Sequence, residues 1–527
     1  MLLRLRALLS TLNDRLRLYG LTRGAARLRP AAGARTVAVF NASARVHGIS
    51  LNAGFQLLTA WGLRLAGLRV VHFVCKAGMS RCMLGADIEN PLKEPPCQDC
   101  VQQSRRLVRG AEVRWFDFKE SVELAGALRP LTLADLMAFN FRDLPLGEIV
   151  LPGLRWRLRL HTLSDDENTR FLYRQFILSA WNVAQEFSAF LNEVQPDAVI
   201  VFNGMMFPEA VAARLARARG IRTITQEVAF QPFTAFFTTG EATAYPIDIP
   251  ADFQLNETES ARLDATLEKR FQGEFTMAGI TFWPEMHGLD YAFLNKAAKF
   301  KQMVAVFTNV IFDTSQPHAN TLYENMFAWL EDVRELVNRH PETLFVIRAH
   351  PDEMRPGTKK QARENVRGWV RKHKLDEYPN VVFIDSQEYI SSYALIDRAK
   401  FMMVYNSSIG IEGTLLGRPV LCGGRARYTR YPTVFFPASA AEYRQMAEEF
   451  LNAPVISVPP EFMVNARRFL YYQLFKTALP FGSFLENHPR LGYVSLKAFR
   501  LDALRPENSP AIRAILDGVA REGDFLL

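Results

Sequence analysis

The chain has 527 residues, of which 49% are hydrophobic, and it carries 63 Lys and Arg against 55 Asp and Glu. This length and apolar content exclude a disordered tail and a small disulfide-stapled domain, and they suffice for two or three hydrophobic cores. The first 45 residues contain nine arginines and one acid, Asp14, so they account for the whole formal net charge of +8. Because the rest of the chain is neutral, it lacks the broad positive field of a nucleic-acid binder, and we expect no nucleic-acid partner.

Residues 1–30 form an Arg-rich amphipathic segment with leucines at spacings of three and four, namely Leu2, Leu5, Leu9, Leu12 and Leu16. Such a helix either lies on an anionic membrane surface or packs on the body of the protein. No apolar run has the pattern of a signal peptide or the length of a membrane-spanning helix. The few cysteines suit a reducing compartment. We therefore expect a cytoplasmic protein associated peripherally with the inner face of the cytoplasmic membrane.

Short β-branched apolar runs alternate with helical periods along most of the chain, which predicts an α/β architecture with parallel sheets. A first series predicts strands over 36–40, 70–74, 198–202 and 221–226, and helices over 50–66, 166–193 and 208–218. A second series predicts strands over 304–307, 344–347, 381–384, 401–405 and 419–422, and helices over 322–338, 359–373, 389–399 and 409–416. Residues 245–303 show no clear strand pattern and separate the two series.

Elements that recur about every 20 residues are typical of doubly wound domains. We predict an N-terminal segment over 1–30, Rossmann-like domains over 31–300 and 301–455, and a helical tail over 456–527 that packs back on both domains. Two such domains face each other across a cleft, and ligands bind beyond the carboxyl ends of the strands. Loops directly after strands are therefore the candidate sites.

One such loop runs from Arg348 to Glu353 and reads Arg-Ala-His-Pro-Asp-Glu. A basic residue and a histidine at the end of a strand, with proline fixing the turn, are placed to meet a phosphate or a leaving group. His350 also fits the simpler interpretation of a hydrogen-bonded loop histidine without a ligand.

A second loop follows the strand 401–405 and contains Asn406, Ser407, Ser408, Gly410 and Glu412. Hydroxyls and backbone N–H groups at a helix N-terminus favour an anion, although a serine there also serves simply as an N-cap. A third loop carries two glycines, which allow close approach to a ligand, followed by Arg425, Arg427 and Tyr428. Three loops on successive strands would converge on one edge of the sheet.

These motifs resemble the C-terminal domain of bacterial capsule polysaccharide glycosyltransferases. The resemblance rests on Arg-x-His-Pro-x-Glu, on Ser391-Ser392-Tyr393, on Tyr-x-Ser-Ser-x-Gly-x-Glu-Gly and on Gly-Arg-Pro-Val. It extends to the β-Kdo transferases and, more distantly, to bacterial polysialyltransferases, and it covers about residues 300–450. It implies a GT-B fold, an inverting transfer, and a CMP-activated sugar moved to a capsule or other surface glycan or to its lipid anchor.

The resemblance also assigns roles to residues. His350 would contact the donor phosphate as a catalytic residue, Ser407 and Ser408 would complete the phosphate site, and Glu412 would hold a ribose hydroxyl pair. The remaining expected donor-binding residues are Arg348, Glu353, Asn406, Gly410 and Tyr428. Teichoic-acid glycerophosphotransferases have a similar His-Pro site, so the donor stays open at this point.

The N-terminal domain is expected to receive the acceptor. Asn203 and Gly204 end one predicted strand and Glu227 ends the next, and they look like the Asn-Gly and Glu-containing loops of the same proteins. An inverting transfer needs a base for the acceptor hydroxyl, and Glu227 is the first choice, before Asp313 and His318. A surface carboxylate at a strand end is the alternative, and Ala229 replaces a glycine of the family pattern. His47 and Asn52, in the loop after the first strand, complete the acceptor side.

The sequence gives no sign of a catalytic metal or of a dinucleotide. It lacks GxGxxG, P-loop and Asp-x-Asp motifs, so we expect metal-independent chemistry without NAD or ATP. The spacing of Cys75, Cys82, Cys97 and Cys100 fits a structural zinc site, ordinary reduced cysteines, or redox or cluster chemistry.

A glycosyltransferase is the leading hypothesis, and three alternatives stay open. They are a CDP-glycerol-type glycerophosphotransferase, a GT-B-like sugar-nucleotide epimerase acting without an acceptor, and a non-catalytic scaffold of capsule assembly.

Overall fold

The computed structural model describes residues 2–41, 46, 48–272, 286–354 and 361–527, with side chains described from residue 12 onward. The elements up to residue 300 are α1 Leu2–Ala25, β1 Thr36–Asn41, α2 Leu51–Leu65, β2 Arg69–Cys75, α3 Cys97–Leu107, β3 Glu112–Phe116, α4 Val122–Leu128, α5 Leu133–Met137, α6 Leu146–Leu158, α7 Glu167–Val194, β4 Ala198–Phe202, α8 Glu209–Ala218, β5 Arg222–Val228, β6 Thr234–Thr238, α9 Glu257–Phe271 and α10 Tyr291–Ala297.

The second half begins with β7 Gln302–Phe307, α11 Gln316–Ala319, α12 Met326–Arg339, β8 Thr343–Arg348, α13 Val366–Lys372, β9 Val381–Ile384, α14 Ser392–Arg398, β10 Phe401–Val404, α15 Ile409–Leu415, β11 Val420–Cys422, α16 Ala440–Asn452 and α17 Pro460–Tyr471. The chain ends with β12 Leu479–Pro480, β13 Leu485–Asn487, β14 Val494–Leu496 and α18 Pro510–Ala520.

The N-terminal sheet has seven strands in the order β12-β6-β5-β4-β1-β2-β3. Strands β1 to β5 are parallel, and β6 and β12 are antiparallel additions at one edge. Alternate residues of β1 enter different cores: Ala38 and Phe40 pack with α7, whereas Val37 and Val39 pack with α2 and α18. Helices therefore cover both faces, as expected for parallel strands that read as continuous apolar runs.

The C-terminal sheet has five parallel strands in the order β11-β10-β7-β8-β9. Val304 and Val306 of β7 face one core, and Met303 and Ala305 face the other. Strand order reverses between β7 and β10, and it reverses between β1 and β4 in the N-terminal sheet. Ligands of doubly wound domains bind at these switch points. The predicted GT-B-like architecture of two doubly wound domains is confirmed.

The C-terminal segment returns to the N-terminal domain. After α17, strand β12 pairs with β6 through Leu479 and Ala235, and α18 packs against α2. The predicted helical tail therefore contains helices, but it also contributes a strand to the first sheet and the short hairpin β13–β14.

Helix α1 packs on the body of the protein along its second half. Leu18, Thr22 and Ala25 are buried, and Asp14 accepts a hydrogen bond from Ser495 of β14 at 3.0 Å. The structure thus supports the packed-helix interpretation for residues 14–25. No helix in the described part of the chain is long and apolar enough to cross a membrane.

Candidate functional site

A cavity of about 550 Å³ lies between the two domains. Its N-terminal wall includes Arg155 of α6 and Gly204 after β4, and its C-terminal wall is the 311–320 segment that follows β7. The predicted cleft between the domains is therefore present, and the carboxyl ends of both sheets border it. Two alternative base candidates, Asp313 and His318, line this cavity.

The acceptor-side residues predicted from three separate loops meet at one carboxylate. Asn203 donates from Nδ2 to Oε2 of Glu227 at 2.9 Å, and Asn52 donates from Nδ2 to Oε1 at 3.3 Å. The N–H of Val228 also donates to Oε1, at 2.8 Å. Burial raises the pKa of Glu227, and the nearby charge of Asp313 raises it further, while these hydrogen bonds lower it. The carboxylate is thus held in one orientation and made more basic than an exposed glutamate.

The Asn203-Gly204 turn that presents this amide has a strained backbone. Asn203 has φ +61° and Gly204 has φ +80°, a region that asparagine and glycine tolerate better than other residues. A Cβ on Gly204 would lie 2.8 Å from Cγ2 of Thr225. The Asn-Gly pair is therefore required by the turn as well as by the contact with Glu227. His47, the fourth acceptor-side prediction, lies outside the described residues.

Arg427 brings a cation from the C-terminal domain to the same place. Its guanidinium carbon lies 4.2 Å from the ring centroid of Phe230 and 4.3 Å from that of Tyr245. Asp313 is close enough for its charge to favour the protonated guanidinium, but burial lowers the pKa of Arg427 overall. Its Nη1 is shielded from solvent and has no hydrogen-bond partner in the described residues. This buried donor therefore has an unmet hydrogen bond. The sequence predicted only that Arg427 adds positive charge, and it did not indicate the contacts of Arg427 with Phe230 and Tyr245.

His350 lies directly after β8 with a defined hydrogen-bonding pattern. Its Nδ1 accepts the backbone N–H of Asp352 at 3.1 Å. In the neutral ring the proton is consequently on Nε2. Strands β8 and β10 flank β7, so His350 and Ser407 end strands about 10 Å apart on the same edge.

The loop after β10 is held by contacts beneath it. Tyr428 donates to the carbonyl of Ser407 at 2.7 Å, and a Cβ on Gly410 would overlap the Tyr428 hydroxyl. Tyr428 is fully buried, and the Ser408 side chain makes no capping hydrogen bond to α15. Gly410 and Tyr428 therefore shape the serine loop from below, and Ser407 Oγ accepts the N–H of Ile409 at 3.5 Å.

Asn406 links this loop to the one after β7 at the switch point of the sheet. Its Oδ1 accepts from Nδ2 of Asn309 at 2.7 Å and from Nε2 of Gln316 at 3.4 Å. Its own Nδ2 donates to Ser315 at 3.4 Å. These contacts fix the 309–316 segment, which carries Asp313 to the cavity.

Three other predicted donor-binding residues have protein partners. Arg348 is buried and donates to the carbonyls of Asp385, Glu388 and Ile390, and burial lowers its pKa to about 10. Glu353 accepts the N–H of Val366 at 3.1 Å, and burial raises its pKa to about 8. These contacts support positioning roles for Arg348 and Glu353 in place of the expected donor contacts.

Glu412 is the third of these residues. Its Oε1 accepts from Nε and Nη2 of Arg270 at 2.9 and 2.6 Å, and its Oε2 accepts from Tyr393 at 2.6 Å. Both carboxylate oxygens are thus engaged by protein donors, so the structure offers no support for the expected ribose contact. Instead, the pair links helix α9 to helix α15.

His318 is anchored to the N-terminal domain. Its Nε2 lies 2.8 Å from Oγ1 of Thr243, and its Nδ1 lies 3.5 Å from a carboxylate oxygen of Glu241. Burial lowers the pKa of His318. This ring fits an interdomain contact better than the role of a base beside Glu227.

Comparison with known proteins gives one family match, which lies in the second half of the chain. Residues 288–432 match the family described as capsule polysaccharide biosynthesis protein. Protein FixF of Sinorhizobium fredii (strain NBRC 101917 / NGR234) is 26% identical over 238 residues, which are 44% of this chain and 49% of that protein. The chain thus spans about half the length of this relative.

Two solved structures to which the chain is similar are those of KpsC from Thermosulfurimonas dismutans. The beta Kdo 2,4 transferase has 11% identity and a TM-score of 0.37, over 59% of this chain and 87% of that one. The beta Kdo 2,7 transferase has 14% identity and a TM-score of 0.32, over 56% and 82%. The family match at 288–432 contains the His-Pro, Ser-Ser and Gly-Arg-Pro-Val motifs. It confirms that this chain resembles the capsule polysaccharide biosynthesis proteins.

Proposed function

We propose that the protein is a glycosyltransferase that moves a sugar from a CMP-activated donor to a capsule or other surface glycan or to its lipid anchor. One arrangement carries the proposal: Glu227, held by Asn52 and Asn203, lies close to Asp313 of the opposite domain. A carboxylate fixed next to Asp313, which lines the interdomain cavity and lies near the Arg427 cation, fits group transfer between a bound acceptor and a phosphate leaving group.

The C-terminal domain binds the donor in this proposal. Nε2–H of His350 and the hydroxyls of Ser407 and Ser408 donate to the nucleotide phosphate as negative charge develops on it. Arg427 adds a cation in a partly dehydrated position, where its electrostatic effect exceeds that of an exposed arginine. Arg348 and Asn406 keep the loops in place through the contacts described above.

The N-terminal domain activates the acceptor. Glu227 takes the proton of the acceptor hydroxyl while the oxygen of that hydroxyl bonds to the anomeric carbon of the donor sugar. The bond from that carbon to the phosphate oxygen breaks, and the electron pair leaves with CMP. A single displacement of this kind inverts the anomeric centre, which NMR of the product tests directly. Retention would instead require a carboxylate such as Glu227 or Asp313 to act as nucleophile.

The donor groups named above supply the phosphate with positive charge and hydrogen bonds from the protein itself. We therefore propose that transfer proceeds without a divalent metal. Unchanged turnover in excess EDTA is the expected result, and a loss that Mg²⁺ restores would contradict it.

The exposed face of α1 supports a membrane-bound location. Leu12, Leu16 and Tyr19 are each at least 50% exposed, and they follow one another at helical spacings of four and three. Arg15 and Arg23 are also exposed. Leucine and arginine on one free helix face suit the boundary of an anionic bilayer. We propose that this face holds the enzyme at the inner face of the cytoplasmic membrane, near a lipid-linked acceptor.

Nucleotide binding tests the donor assignment. CMP, CDP-glycerol and UDP are each added to the purified protein, and the shift in unfolding temperature is measured. We expect CMP to give the largest shift. A shift with CDP-glycerol alone would favour the glycerophosphotransferase, and no shift with any nucleotide would favour a scaffold.

The chain offers a matched control for His350. His488 has the same local role in the hairpin β13–β14, where its Nδ1 accepts the N–H of Arg490 at 2.9 Å. We expect His350→Ala to lose most of the CMP shift and His488→Ala to retain it. Equal shifts in the two variants would contradict the phosphate-binding role of His350.

A further inference from the structure

Four of the five cysteines line one small cavity outside the interdomain cleft. Cys75 ends β2, Cys82 lies in the following loop, and Cys97 and Cys100 occupy the first turn of α3. The cavity has a volume of about 30 Å³. Each of the six pairs is close enough for the charge of one thiolate to raise the pKa of its neighbour. Cys422, the fifth cysteine, is buried in the other domain.

The backbone around two of these sulfur atoms is arranged to donate hydrogen bonds. The N–H of Gly78 donates to Sγ of Cys75 at 3.1 Å, and the N–H of Gly85 donates to Sγ of Cys82 at 3.3 Å. Both pairs therefore share a Cys-x2-Gly spacing. A Cβ on Gly85 would lie 2.6 Å from Cβ of Pro95. Burial raises the pKa of both thiols, and these N–H groups oppose that rise because they stabilise the anionic sulfur, the form that binds metal.

Positive charge surrounds the cluster. Arg81 is buried and donates to the carbonyls of Pro91 and Leu92. Burial raises the pKa of Cys97, and the charge of Arg81 opposes this rise. Arg157 lies close enough to Cys82 for the thiolate to raise its pKa. The N-terminus of α3, an 11-residue helix, also favours thiolates at Cys97 and Cys100. A divalent metal with four thiolates carries two negative charges, which Arg81 and Arg157 offset in part, since Arg81 also pairs with Glu94 at 3.3 Å.

Residues 76–96, between β2 and α3, form no helix or strand. A long connection without regular structure is uncommon in a compact domain unless something else holds it. All five cysteines are free of disulfide bonds, so no covalent link fastens this loop. A metal bound by both ends and by Cys82 would supply such a link.

We propose that Cys75, Cys82, Cys97 and Cys100 bind one structural zinc ion. Four protein ligands close a tetrahedral shell, which is typical of structural rather than catalytic zinc. In the described residues, no group of three or more His, Cys, Asp or Glu side chains is arranged to hold a metal. Zinc binding therefore requires the thiols to come closer together, and a change of χ1 rotamer moves a sulfur atom by about 3 Å.

The zinc would also steady the acceptor side of the cleft. Gln103 of α3 donates to the carbonyl of Gly48 at 3.0 Å, and this loop leads into α2, where Asn52 contacts Glu227. Fixing α3 to β2 would hold that loop. The zinc proposal stands on the cysteine cluster alone and does not depend on the reaction assigned to the cleft.

Metal analysis of the full chain tests the proposal. Protein purified with reductant and without chelator should contain about one zinc per chain, released in step with titration of four thiols by a mercurial. A zinc content below about 0.3 per chain, with all four thiols freely reactive in the folded protein, would overturn it.

Substitutions and cobalt exchange give independent readouts. Cys97→Ser should lose zinc, and Cys422→Ser, the matched control, should retain it. Exchange of Co²⁺ into the wild-type protein avoids any loss of folding in a variant. We expect the visible absorption and the thiolate-to-metal charge-transfer bands of tetrahedral sulfur ligation. Octahedral Co²⁺ spectra, or equal zinc in both variants, would refute the site.

Discussion

Asn203 and Glu227 end adjacent parallel strands, and the amide of Asn203 donates to the carboxylate of Glu227 at 2.9 Å. This contact joins the switch point of the N-terminal sheet to the residue that we propose as the catalytic base. The amide favours the ionised carboxylate, whereas burial and Asp313 disfavour it. The balance between these effects sets the pH at which the base can accept a proton.

Substitution of Asn203 should therefore change the pH profile. Asn203→Asp tolerates the left-handed backbone but removes the N–H donor and adds a negative charge. The pKa of Glu227 should rise, so the acidic limb of kcat/KM should move to higher pH, because a base is active only when unprotonated. We expect turnover at neutral pH to fall about 10-fold or more. An unshifted acidic limb, with activity lost at all pH values, would show that Asn203 acts only on the turn.

Arg427→Met should separate ligand binding from stability. Methionine keeps much of the packing on Phe230 and Tyr245 but removes the buried charge. We expect affinity for the donor to fall about 10- to 100-fold, since a hydrogen bond to a charged group is lost. The unfolding temperature should stay the same or rise, because an underpaired cation is no longer buried. Calorimetric titration measures the affinity, and Arg430→Met, at an exposed position paired with Asp248, is the control.

Glu412→Gln tests the pairing of Glu412 with Arg270. Removing the carboxylate leaves the Arg270 cation with little compensation, and we expect a loss of about 3 kcal/mol in the free energy of unfolding. Tyr393→Phe, which removes a single hydroxyl contact, should cost about 1 kcal/mol. Denaturant unfolding measures both values. Unchanged stability of Glu412→Gln together with a raised KM for the donor would instead support the ribose contact expected from the sequence.

The exposed face of α1 can be tested without removing the helix. Deletion of residues 1–30 would take Leu18 and Ala25 out of the core, so it would confuse membrane binding with folding. Leu12→Gln combined with Leu16→Gln changes only exposed positions. We expect binding to phosphatidylglycerol vesicles to fall at least about 10-fold, since two leucines no longer enter the bilayer. Equal vesicle binding at equal thermal stability would contradict the membrane role.

Much of the fold could be predicted because the parallel strands are buried on both faces. Their apolar runs, such as Val304 to Phe307, stand out from the helical periods around them. Strand β3 was missed because Glu112 and Arg114 alternate with apolar residues at a sheet edge. Strand β12 was missed because its partner, β6, lies about half the chain away.

The candidate site was predicted in part for similar reasons. Strand ends predicted that Asn203 and Glu227 share one sheet edge and that His350 and Ser407 share another, because parallel strands end on the same side of a sheet. Sequence position does not determine the direction of a side chain, so Arg348 was expected at a ligand although it binds main-chain carbonyls. Contacts between residues far apart in the chain, such as that of Arg270 with Glu412, cannot be predicted because no pattern in the neighbouring sequence indicates them.

Sugar transfer by the wild-type protein and by Glu227→Gln shows whether Glu227 is the catalytic base of a glycosyltransferase. With a CMP-sugar and a glycan acceptor, the wild type should release CMP and glycosylated product in equal amounts. We expect Glu227→Gln to bind CMP normally but to turn over about 10²–10⁴-fold more slowly. Glu120→Gln, an exposed carboxylate beyond the end of β3, should retain wild-type turnover. Near-normal turnover by Glu227→Gln would exclude Glu227 as the base. Sugar conversion by the wild type without any acceptor would exclude a transferase.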